Sequence, residues 1–424
     1  VSWLLIAIFA MLALAGIPLA VSLGLAAVFV LYIYGFSLSI VPQAMYTSMN
    51  TFILVAVPLF ILAGNLMERG GMSERIFDFA SSIVGRWRGG VGHVNVVAST
   101  IFGGISGSSV ADVASLGPLE IKAMTERGYP KPYAASLVMV TSTLASMIPP
   151  SILLIVAAAT AQESVAAALA GGLGPGIMLA ALFMLANYII SVRRGYGEVM
   201  SFGLRQSIRM FLVAIPALVT PVVILTGIFG GFITPTEAAG VAVVYTAFVS
   251  ALFYGDLRWN DLPGILIRTA RTSGTILLIA MSASIATYVF TVDGLPAQVS
   301  SGLLAISENP VVIMLMIGVI LVVLGMFMDI IAAIFLLVPI LTPAAVMVGI
   351  DPIHFLVFLV MALALGLTTP PVGICLFAAS YVSGISIERL TRETVPFYLT
   401  LVVQLLLVAL IPVITLGPVN LFNL

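Results

Sequence analysis

From Thr272 to Glu388 the chain runs for 117 residues without a lysine or an arginine. A soluble domain carries about 25% charged residues, whereas this whole chain is 8% charged and 61% hydrophobic. Long apolar stretches recur from end to end, separated by short clusters of Arg, Glu, Gly and Pro. That pattern predicts an all-α polytopic membrane protein, because a spanning segment must satisfy its own backbone hydrogen bonds. A single cysteine, Cys375, excludes disulfides and Cys-cluster metal sites, and His93 and His354 are too far apart in sequence to read as a ligand pair. With a net charge of −1 and no basic domain, nucleic acid is not a partner. The first apolar run lacks a preceding basic region and does not read as a cleaved signal peptide.

The sixteen Lys and Arg residues fall at 69–88, 122–131, 193–209, 258–271, and at Arg389 and Arg392. The positive-inside rule puts those clusters in the cytoplasm and the loops of 272–388 outside. Residues 91–121 are then apolar with basic flanks on both sides, so the chain enters the bilayer and returns, turning near Gly103–Ser109. Non-helical backbone at that depth survives only against protein or a watery cavity. The next stretch, 132–168, is too long for one span of about 20 residues and carries Pro149-Pro150 at its middle, which reads as a broken helix with freed carbonyls. The second half repeats the plan: 310–350 is interrupted at Gly325–Asp329, and 352–386 is broken by Gly366–Gly373. Asp112 and Asp329 are 217 residues apart, Pro149 and Pro370 are 221 apart, and Gly24 and Gly240 are 216 apart.

One hairpin inside and one outside describe an inverted repeat, 1–204 and 205–424. Each unit has about five crossings: 1–15, 17–35, 50–68, 132–168 and 172–192, against 210–231, 234–255, 273–292, 352–386 and 395–417, with both termini outside. Segment 72–88 has the pattern of an interfacial helix and 297–307 a weaker version of it. Both read as arms that link parts of the molecule.

An acid at mid-membrane costs roughly 2.5 to 3.5 kcal/mol on insertion scales, and no Lys or Arg lies within the hairpin to neutralise Asp112. Its partner is a cation, a proton, or the donors of the hairpin tip, and the cap of the returning helix stays open as its role. A sodium ion wants about five or six oxygens, which broken helices supply from carbonyls and hydroxyls. The candidate sodium residues are Ser106, Gly107, Ser108, Ser109 and Asp112 at the first tip with Ser146 and Pro149 at the first break. At the second site they are Gly325 and Asp329 with Gly366, Thr368, Thr369 and Gly373. Half-helix N-termini at the same place favour an anionic substrate, with Ser108, Ser109, Asp112, Thr369 and Pro371 as candidate contacts. The only lysines, Lys122 and Lys131, do not follow glycine, so there is no phosphate-binding loop of the ATPase type and ATP is not used. Proton coupling through Asp112 or Asp329 stays open. Gly104-Ile105-Ser106-Gly107 and the two aspartates resemble intramembrane protease motifs only weakly, and neither a protease nor a channel explains a duplicated plan.

The segments NTFILVAVPLFILAGNLMERGG (50–71), FGGISGSSVADVASLG (102–117), MIPPS (147–151), FITPTEAAG (232–240) and GLTTPPVG (366–373) together resemble the large membrane subunit of the tripartite ATP-independent periplasmic (TRAP) transporters, in order and over essentially the whole chain. The resemblance implies a multi-pass protein of the bacterial inner membrane: a sodium symporter of the ion-transporter superfamily that imports organic acids by an elevator motion. It implies two partners, a small four-helix membrane subunit and a soluble periplasmic substrate-binding protein. By the same analogy, 91–192 and 310–417 form the moving part, and 1–68 and 205–292 the scaffold. The Gly-Ser-Ser-Val-Ala-Asp tip resembles sialic-acid members more than C4-dicarboxylate ones. Glu237, in Thr-Pro-Thr-Glu, reads as a structural acid at a helix N-terminus.

Overall fold

The computed structural model describes residues 1–197, 199–200 and 202–424, and all their side chains except those of 104–106. Among these residues the chain is helical throughout, with no strand. Eight helices among the described residues are long and apolar enough to cross a membrane, up to Val165–Arg194 and Trp259–Val292 in length.

The first hairpin doubles back. Gly90–Ser106 runs inward, Gly107 takes a left-handed φ of +59° that suits a residue without a Cβ, and Ser109–Ser115 and Gly117–Thr125 run out again. Asn95 Nδ2 donates to Glu120 Oε2 at 2.5 Å although the two are 25 residues apart. A continuous helix would hold them about 37 Å from each other. The second hairpin, Pro310–Phe327 and Ile330–Met347, turns through extended Met328 and Asp329.

Both overlong stretches are broken where the proline pairs stand. Lys131–Thr141 tightens into Ser142–Ser146, stops, and resumes at Ile152–Ala161; Pro352–Thr368 stops and resumes at Ile374–Ser383. Proline lacks the N–H a helix needs and disfavours the helical region for the residue before it.

The packing exchanges the two units. Returning arm Ser109–Ser115 lies on Ile374–Ser383, and returning arm Ile330–Met347 lies on Ile152–Ala161. Lys131–Thr141 packs on Ile387–Leu410 as Pro352–Thr368 packs on Val165–Arg194, and Ala56–Arg69 packs on Pro235–Phe248 as Leu262–Val292 packs on Leu19–Ile33. Each contact has a counterpart with the units swapped, as a two-fold-related inverted repeat requires.

The structure corrects the register of the repeat. Ser108 is the N-cap of the first returning arm and Asp329 that of the second. Their separation, 221, equals that of the proline pairs, so Asp112 corresponds to Ala333 and not to Asp329. Some boundaries also differ. The link between the second and third crossings holds a further helix, Ile40–Met49, packed on Leu262–Val292. The crossing expected over 273–292 begins at Leu262, so it takes Arg268 and Arg271 into a helix. The last crossing, expected over 395–417, stops at Leu410 before Pro412, and Val413–Leu421 lies on Val165–Arg194. The arms are Met72–Val84 and Leu295–Leu304. Glu237 closes a capping box: its Oε2 accepts from Thr234 N at 2.7 Å while Thr234 Oγ1 accepts from Glu237 N at 3.3 Å. The clusters at 69–88 and 258–271 meet at one end, through Arg69 and Asp261 at 2.7 Å and Arg75 and Asp256 at 2.8 Å.

Candidate functional site

At the first tip, Ser109 Oγ lies 3.0 Å from Ser146 Oγ, both buried, so the hairpin touches the broken helix through hydroxyls. Gly107 sits against the restart of that helix, where a Cβ would stand 2.8 Å from Ile152 N. Ser108 caps the returning arm by accepting from Ala111 N at 3.4 Å. Across the break, Ser151 Oγ donates to Ser146 O at 2.8 Å, so the chain itself satisfies one of the carbonyls that Pro149-Pro150 frees.

At the second tip the approach is backbone on backbone. A Cβ on Gly325 would stand 2.6 Å from Leu363 O, and one on Gly366 would stand 2.6 Å from Val322 O. Gly373 N donates to Met326 O at 3.0 Å, tying break to hairpin. Asp329 Oδ1 accepts from Ile331 N at 2.9 Å. Thr368 and Thr369 turn their hydroxyls onto Leu365 O at 2.9 and 2.8 Å, and Thr368 O accepts from Tyr398 OH at 2.6 Å.

Both tips line one cavity of about 340 Å³, Gly107–Ala111 and Asp329–Ile331 on one side, Ile61, Gly64, Asn65, Glu68, Arg268, Thr272 and Ile276 on the other. Of the candidate substrate contacts, Ser108 and Ser109 line it; Asp112, Thr369 and Pro371 do not. Of the sodium candidates, Gly107 and Asp329 line it too, whereas Gly325, Gly366 and Gly373 lie behind it in the contact between hairpin and broken helix. Ser146 is buried one layer behind, and Pro149 is buried in the break. Ser106 lies outside the described side chains. Asp112 is buried beside Ser99 and within electrostatic reach of Glu120; its Oδ1 and Glu120 Oε1 have no partner among the described residues.

The polar residues on the wall opposite the tips, Asn65, Glu68, Arg268 and Thr272, carry no motif in the sequence. The readable signal was the i, i+3 spacing of Asn65 and Glu68 in an otherwise apolar run, which puts both on one helix face. Asn65 Nδ2 donates to Thr269 Oγ1 at 2.9 Å, joining the two helices that wall the cavity. A second cavity, about 530 Å³, lies further along the same two walls, lined by Thr51 and Leu54 on one and by Ala283, Ser284, Thr287 and Thr291 on the other.

Residues 5–414 match the family described as the tripartite ATP-independent periplasmic transporter, DctM component. The chain belongs to the TRAP large permease family. It is 37% identical over 95% of its length to the sialic acid TRAP transporter large permease protein SiaM of Vibrio cholerae, covering 94% of that protein. It is 34% identical to the C4-dicarboxylate TRAP transporter large permease protein DctM of Pseudomonas aeruginosa, covering 89% and 88% of the two chains. The crystal structure of the Alcanivorax borkumensis YdaH transporter aligns with a TM-score of 0.66 over 88% of both chains at 15% identity, a likeness of fold alone. As a TRAP large permease the chain is a multi-pass transporter subunit of the bacterial inner membrane for organic acid uptake, and not an enzyme. The protease reading falls with that, and His93 rests on Arg88 O at 3.1 Å while His354 rests on Thr415 Oγ1 at 2.6 Å.

Proposed function

We propose that this TRAP permease is a sodium-coupled symporter that imports a sugar acid of the sialic acid kind, received from a periplasmic binding protein, and works beside a small four-helix membrane subunit. The observation that carries the reading is the single cavity shared by the tips at Ser108–Ser109 and Asp329–Ile331. Two helix N-termini there face an anion favourably. Behind them stand hydroxyls and glycine-bared backbone of the kind that replaces a sodium ion's water. The sialic acid preference rests on the tip sequence and on the 37% identity to SiaM, against 34% to DctM.

The division into a moving part, 91–192 and 310–417, and a scaffold, 1–68 and 205–292, is supported by where the two cavities lie, both along the seam between these sets. Sliding of one set past the other would move the tips from the first cavity toward the second.

The test is uptake into proteoliposomes holding both membrane subunits, with binding protein outside. Uptake of N-acetylneuraminate should require an inward sodium gradient, need more sodium in Ser109→Ala and collapse in Asp329→Ala. Equal uptake with potassium in place of sodium would refute the coupling, and preference for succinate would refute the substrate. Proton coupling is the second reading, favoured by the unpartnered carboxylate oxygens of Asp112 and Glu120; uptake driven by a pH gradient without sodium would establish it.

A further inference from the structure

Glu68 and Arg268 line the central cavity and also a charged cleft of about 360 Å³ that contains Arg69, Gly71, Glu74 and Asp256, so the pair stands at the junction of the two. Charge places this cleft at the basic end of the molecule, the cytoplasmic end. Three arginines gather here, and two are committed. Arg69 gives two hydrogen bonds to Asp261 Oδ1, at 3.0 and 2.7 Å. Arg75 gives one to Gly71 O at 2.7 Å, pairs with Asp256 at 2.8 Å, and lies 3.9 Å over the Tyr254 ring.

Arg268 differs. Its one ion pair, to Glu68 Oε1, is stretched to 3.9 Å, and its guanidinium donates no hydrogen bond among the described residues. Among the described residues it is also the only cation that lines the central cavity, where the other charged groups are Glu68 and Asp329. An organic anion leaving the tips thus passes two carboxylates and one arginine with its fork of donors unspent. A guanidinium binds a carboxylate through two parallel N–H···O bonds, which a pair at 3.9 Å does not use.

We propose that Arg268 is the inner-face carboxylate receptor: the substrate's carboxylate displaces Glu68 from Arg268 on its way to the cytoplasm, and Glu68 reclaims the arginine once the anion has gone. This rests on the organic-acid reading of the central cavity and adds a second anchor for the same substrate, on the wall opposite the tips. No bond is made or broken; one ion pair is exchanged for another.

The experiment uses the complete transporter in proteoliposomes and measures half-saturating concentrations from each face, with N-acetylneuraminate and succinate as probes. For Arg268→Gln the value at the cytoplasmic face should rise about tenfold while the periplasmic value stays within twofold. Arg268→Lys should recover only part of the loss, since an ammonium cannot present the fork. Glu68→Gln should lower the cytoplasmic value, because the competing carboxylate is gone. Arg268→Gln with unchanged cytoplasmic half-saturation, or Glu68→Gln that weakens it, overturns the handover while leaving the substrate class intact. A transporter that moves neither probe overturns the substrate reading and the handover with it.

Discussion

Glycine at 325 and 366 lets two backbones touch in the second half of the molecule, and the packing leaves no room for a methyl group. A Cβ at Gly325 would meet Leu363 O at 2.6 Å and Gly366 Cα at 3.2 Å, atoms that cannot rotate away. Gly325→Ala should therefore cost about 1 to 3 kcal/mol, read as a lower melting temperature in detergent, whereas Gly240→Ala, with nothing within 4 Å, should melt no lower than the parent chain. At the first tip the contact is weaker in kind. Removing the Ser109 hydroxyl forfeits one hydrogen bond to Ser146, about 1 kcal/mol, so the variant should stay folded while its sodium half-saturation rises. A stability loss equal to that of Gly325→Ala, with unchanged sodium dependence, would make Ser109 a packing residue. These positions were legible beforehand because Ser and Gly at mid-membrane are conspicuous; Arg268 was not, because a basic residue next to Arg271 and Arg258 reads as part of a cytoplasmic loop.

At the scale of elements, the first hairpin is held together at its open end as well as at its tip. Asn95 Nδ2 binds Glu120, and Thr141 Oγ1 donates to Asn95 Oδ1 at 3.0 Å, so one amide bridges two hairpin arms and the broken helix. Asn95→Ala leaves Glu120, 1% exposed, without its donor. A buried polar group so stranded costs about 1 to 3 kcal/mol, and faster proteolysis or exchange across 90–125 would report it. Little change there would mean that the arms are held by apolar packing alone. The turn itself could be read from charge, since basic flanks on both sides of 91–121 forbid a straight crossing. The pairing of Asn95 with Glu120 could not, because it depends on how the arms are staggered. The register of the repeat is hidden for a related reason. Matching aspartate to aspartate gives an offset of 217, whereas the folded chain matches one N-cap, Ser108, to another, Asp329, and any short side chain with an oxygen can cap a helix.

For the whole molecule, the two cavities share two walls. On Leu262–Val292 the lining moves from Thr272 and Ile276 to Ser284 and Thr287; on the other wall it moves from Gly64 and Asn65 to Thr51 and Leu54. Each shift is about 12 residues, or about 18 Å at 1.5 Å per residue. The proposed slide of the tips is then about 18 Å. A cysteine at Ile331 paired with one at Thr272 should cross-link in the state described here, and one paired with Ser284 should cross-link only after the slide, with each link stopping transport. Cross-linking of both pairs without loss of transport would mean that the tips do not travel. The sequence alone determined the helical membrane fold, the two re-entrant hairpins and their broken partners, because each follows from hydropathy, charge and proline placed along the chain. Only the tertiary structure decided which oxygens share a cavity, which cap answers which, and that Arg268 faces the tips, because these depend on how helices distant in sequence rotate and slide against one another.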